Sequence, residues 1–168
     1  MMPAVPDFAI TLIFWIHFLA AVTLVGSLAA TSILVLPAAR TLDPAEQLNL
    51  IASIQKRMEP TAWFSLSLLI VTGLFQMSVN VHYNGFLSVS SQWTIALLTK
   101  HILVIALIVV SAVQTWDVLP SIRRLLLRKD KASQDEALKL QIREAWLLRV
   151  NLILAILILG ATAFLRTA

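Results

Sequence analysis

Four long stretches of this chain are almost wholly apolar, and the charged residues are crowded between them. The first runs from about Phe8 to Leu36 without a single charged side chain. The others run from about Thr61 to Val81, Trp93 to Leu119 and Ala145 to Leu165. Each supplies the ~20 residues that a helix needs to cross ~30 Å of hydrocarbon. Their apolar character extends nearly all the way round, so periodicity alone does not single out one face. The pattern predicts four transmembrane helices, an all-α integral membrane four-helix bundle, and one transmembrane domain over residues 1–168. Pro37 is expected to close the first helix. That first stretch is too long, and too poor in preceding Lys or Arg, for a cleaved signal peptide.

The polar segments set the expected orientation. Residues 38–60 carry Arg40, Lys56 and Arg57. Residues 121–144 carry Arg123, Arg124, Arg128, Lys129, Lys131, Lys139 and Arg143. The segment from His82 to Gln92 has no Lys or Arg. Basic residues stay on the cytoplasmic side, so both termini are expected on the other side of a cell inner (plasma) membrane. Trp63, Tyr83 and Trp93 sit near span ends, where aromatic anchors belong. The mixed stretch from Leu125 to Trp146 is expected to extend helix three or four, or to lie at the interface as an amphipathic turn.

Composition sharpens this picture. Hydrophobic residues make up 59% of the chain and charged residues 13%, against about 25% charged in soluble domains. The absence of cysteine excludes disulfides and thiolate chemistry. The net charge of +4 lies in the loops, which points to the lipid bilayer as partner and not to nucleic acid.

The two halves resemble copies displaced by 83 residues. Val35-Leu36-Pro37 recurs as Val118-Leu119-Pro120, Arg40 as Arg123, Lys56 as Lys139, and Ala62-Trp63 as Ala145-Trp146. Two tandem helix-pair repeats in one orientation imply a pseudo-twofold axis along the membrane normal. Helices one and three are then expected to face each other and be neighbours. Gly26 and Ala30 form a small-xxx-small pair suited to close helix packing.

The candidate chemistry lies with His17, His82 and His101. His17 and His101 each fall about eight residues into a span that starts from the same face, roughly 12 Å deep at 1.5 Å per residue. In the repeat His17 stands opposite Lys100, not His101. Ionisable groups inside a bilayer are functional candidates, and neutral imidazole is a frequent metal ligand. Two such rings can hold a haem iron from both sides or share a copper ion. The blander alternative is that each His hydrogen-bonds to a neighbouring helix. Thr94, His101, Ile108, Ser111 and Thr115 share one face of helix three, suited to the bundle interior. Lys100 either snorkels to the interface or meets an anionic group such as a haem propionate. Met77 near His82 suits copper(I), though Met in such helices more often packs. Leu24, Ile105 and Ile108 are the expected dry wall.

Trp15-Ile16-His17, Gly26 and Pro37 resemble the first helix of the copper resistance protein D (CopD) superfamily. Thr72-Gly73, Lys100 and Arg149-Val150-Asn151 are similar to the rest of its pattern. The resemblance extends to the HemJ-type four-helix proteins, and for those implies haem b and action on protoporphyrinogen. In that pattern a His shortly precedes the helix-three Lys, whereas here His101 follows Lys100. For CopD-like proteins the resemblance implies copper handling in the inner membrane.

The leading expectation is a haem b-binding membrane protein with His17, His101 and Lys100 at the cofactor. It would carry electrons or serve as an accessory subunit beside other subunits of a membrane redox complex. The alternatives are a copper transport or tolerance protein, a cofactor-free structural subunit of a membrane assembly, and a HemJ-like oxidase. No phosphate loop, nucleophile elbow or zinc helix is present.

Overall fold

The computed structural model describes residues 6–79, 92–126 and 131–165. Among them the chain is helical, with no strand, and four helices are long and apolar enough to cross a membrane. The protein is a multi-pass membrane protein. Helix α1 comprises Asp7–Ala29, a π-helical stretch Ala30–Val35 and a last turn Leu36–Ala39. Helix α2 is Pro44–Ser78. Helix α3 comprises Gln92–Val113, a π-helical stretch Gln114–Val118 and Leu119–Leu126. Helix α4 is Lys131–Phe164. His82, Tyr83 and Ser88 lie outside the described residues.

The helices are longer than the apolar stretches. At 35 residues and 1.5 Å per residue, α2 extends about 52 Å, well beyond a ~30 Å hydrocarbon layer. The surplus lies at the end that carries the basic residues, called the basic end below. There the bundle packs as a soluble protein does. Leu48, Val118, Ile122, Ala137 and Leu147 form one buried cluster, and Leu36, Ala39, Ile51 and Leu148 form another. The Leu125–Trp146 stretch is thus largely helix, most of it the first turns of α4.

Pro37 does not close α1. Proline lacks an N–H and its ring crowds the carbonyl four residues earlier. Here the π-helical stretch ends two residues before it and the helix continues to Ala39. The same arrangement precedes Pro120 in α3. Residues 31–35 and 114–118 of the two π stretches are 83 apart. Buried positions follow the same displacement: Leu24 and Leu107, Thr31 and Gln114, Leu36 and Leu119, Ala39 and Ile122.

Helix α1 packs along α2, and α3 along α4; α4 also touches α1 and α2, and the basic end of α3 meets α2. Helices α1 and α3 therefore stand diagonally, with α2 and α4 beside each of them. They are not packed neighbours, contrary to the expectation from the repeat. Gly26 is also not a packing contact, because a Cβ there would meet nothing within 4 Å. The outward faces carry Val22, Ile102, Ile105 and Val109, all exposed, as surfaces turned to lipid should be.

Candidate functional site

The two span histidines line one cavity. It has a volume of about 560 Å³ and lies between the halves of the helices away from the basic end. His17 on α1, Lys100 and His101 on α3, and Met77 on α2 all border it, while α4 contributes Ala155, Ile158 and Thr162. No acidic residue is among the described residues that line it. Leu24 forms part of the wall as expected. Ile105 does not; it is 59% exposed and points outward.

Each imidazole is held by its Nδ1. His17 Nδ1 lies 2.7 Å from Thr72 Oγ1. The Thr72 hydroxyl donates to the Leu68 carbonyl, 2.5 Å away, so its oxygen accepts from His17 Nδ1–H. His101 Nδ1 lies 2.7 Å from the Leu97 carbonyl oxygen, which can only accept. In its neutral form each ring is thereby set in the tautomer that carries its lone pair on Nε2. Ligating histidines in metalloproteins are oriented in this way, the second nitrogen donating to a fixed oxygen. Gly73 makes room for the first ring: a Cβ there would sit 3.5 Å from His17 Cε1.

Two donors are few for a resident metal centre. No group of three or more His, Cys, Asp or Glu gathers among the described residues. A metal in this cavity would rest on the two imidazoles and the Met77 thioether, a set that suits copper(I) better than zinc or calcium. The expected polar face of α3 is turned inward. Thr94 is buried, Ser111 accepts from Asn151 Nδ2 at 3.2 Å, and Thr115 accepts from Trp63 Nε1 at 3.1 Å. Trp63 also stacks on Trp116, with ring centroids 5.5 Å apart.

Sequence reasoning missed two groups. Thr72 orients His17, yet inside an apolar span a Thr reads as ordinary packing; the Thr72-Gly73 pair was the available signal. The second is a buried polar cluster nearer the basic end, comprising Gln55, Gln114, Glu144 and Asn151. At its rim Arg123 pairs with Glu59 at 3.2 Å, and Arg143 pairs with Asp117 at 3.3 Å on a more exposed surface. Arg149 is exposed, as a snorkelling side chain should be.

A family model described as copper resistance protein D matches residues 52–165. No curated protein and no solved structure matches the chain.

Proposed function

The chain belongs to the copper resistance protein D family, and from that membership and the paired imidazoles we propose that it handles copper within the membrane, taking the ion as cargo at His17 and His101. One observation carries this reading: two histidines on different helices line one cavity, each with Nδ1 engaged and its lone pair on Nε2. Copper(I) accepts imidazole nitrogen and thioether sulfur, and Met77 borders the same cavity. Lys100 shapes the role. An ammonium near a bound cation opposes tight retention, which suits a site that passes copper on over one that stores it.

The charge distribution supports a placement in a plasma membrane with the basic end cytoplasmic. Copper would then meet the histidines from the non-cytoplasmic side, where the spans bearing them begin.

A second reading is favoured by the size of the cavity. About 560 Å³ falls in the range of ~300–1,000 Å³ that drug-sized ligands occupy, far more than an ion requires. With an apolar wall and Lys100 as the cation, it suits haem b, with His17 and His101 as iron ligands and Lys100 at a propionate. Electron transfer, or service in a membrane redox complex, belongs to this reading. The optical spectrum of the purified protein separates the two. A colourless protein that binds copper(I) supports copper handling, and a Soret band supports haem.

A further inference from the structure

A second cavity of about 60 Å³ lies toward the basic end, lined in part by Ser27, Thr31, Gln55, Ser111, Gln114 and Asn151. Leu24 and Leu66 line both cavities. With Leu107 and Ala155 they form one buried apolar cluster, which stands as a plug between the two spaces.

The polar lining is incompletely satisfied. Asn151 is 1% exposed; its Nδ2 reaches Ser111 Oγ and Gln114 Oε1, but its Oδ1 has no partner. Gln55 is 6% exposed and its Nε2 has no partner. One is an acceptor and the other a donor. A bare cation satisfies only acceptors and an anion only donors, whereas water satisfies both. A water needs at least ~10–15 Å³ of such space, so the cavity has room for several. Glu144 is 1% exposed with both carboxylate oxygens unpartnered. The Gln55 side chain on α2 lies beside this carboxyl without meeting hydrogen-bond geometry, and Arg123 on α3 also acts on it. Arg123 is itself paired with Glu59, which borders the cavity.

We infer that this cavity is hydrated and that, together with Glu144, it forms a proton path through the basic half of the bundle, stopped by the Leu24–Leu66–Leu107 plug. A proton from the basic face binds a Glu144 carboxylate oxygen. It then leaves that oxygen for a water held between Gln55 and Asn151, while O–H bonds alone form and break and no electron moves. The inference does not depend on what the histidine cavity holds.

The test is proton flux into liposomes containing the full-length protein and a pH-sensitive dye, driven by a potassium diffusion potential. Hydrophobic constrictions gate by excluding water, so Leu107→Ala should raise the flux by about an order of magnitude. Adding Glu144→Gln should return it to the wild-type rate. An unchanged flux in Leu107→Ala, or a double variant as conductive as the single one, overturns the path. A measurement on the unsubstituted protein removes any dependence on variant folding. In water-edited solid-state NMR in lipid bilayers, magnetisation from water should reach the Asn151 side chain well before the Leu24 methyls. Equal build-up at the two overturns the inference.

Discussion

His17 Nδ1 and Thr72 Oγ1 lie 2.7 Å apart, joining α1 to α2 across the wall of the larger cavity. The contact fixes the ring in the plane and tautomer that turn its lone pair to Nε2. Loss of such an orienting partner typically weakens metal binding by ~10–100-fold. Thr72→Val, which keeps the shape and removes the hydroxyl, is expected to weaken copper(I) binding by that factor. Competition against a chromophoric chelator measures it, and an unchanged affinity would show that Thr72 serves packing alone.

Gly73 sits against the same ring. A Cβ at 3.5 Å makes an ordinary contact, so Gly73→Ala should bind copper as the wild type does. Gly73→Leu places further carbons where the imidazole lies and should abolish binding. The pair of variants separates a steric role from general loss of fold, which monodisperse elution in detergent monitors.

The span count was legible because charge cannot sit cheaply in hydrocarbon, and the similar positions of His17 and His101 along their spans fit the one cavity that both line. The helix ends were not legible from hydropathy. Beyond the bilayer, burial of Leu48, Ile122, Ala137 and Leu147 against one another extends the helices, and that packing has no hydropathy signature. Pro37 was misleading because the π-helical turn before it accommodates the ring. Gly26 was misleading because small-xxx-small spacing records only a possibility of contact. The cluster around Asn151 stayed hidden because its members come from separate segments, with Gln55 and Glu144 outside the apolar runs.

Trp63 makes two contacts with α3, a hydrogen bond to Thr115 and stacking on Trp116. Trp63→Phe keeps an aromatic ring and removes the donor. Interhelical hydrogen bonds in membranes average ~0.6 kcal/mol and reach ~1.7, so the loss of stability should fall in that range. Unfolding in mixed micelles with increasing denaturing detergent measures it. A loss well above that range would place the role of Trp63 in packing.

Orientation rests on the Lys and Arg distribution. The chain has no cysteine, so Ser88→Cys provides a single label. It should react with a membrane-impermeant maleimide added outside intact cells. Labelling only after permeabilisation would invert the topology.

Copper(I) binding by purified protein is the decisive measurement, with copper quantified by mass spectrometry and the optical spectrum recorded on the same sample. About one copper ion per chain is expected, lost in both His17→Ala and His101→Ala and retained in His82→Ala, with no Soret band, if the two imidazoles and the Met77 thioether serve as the ligands. Copper retained at wild-type level in both the His17 and His101 variants, or a Soret band in place of copper, would contradict copper handling at these histidines.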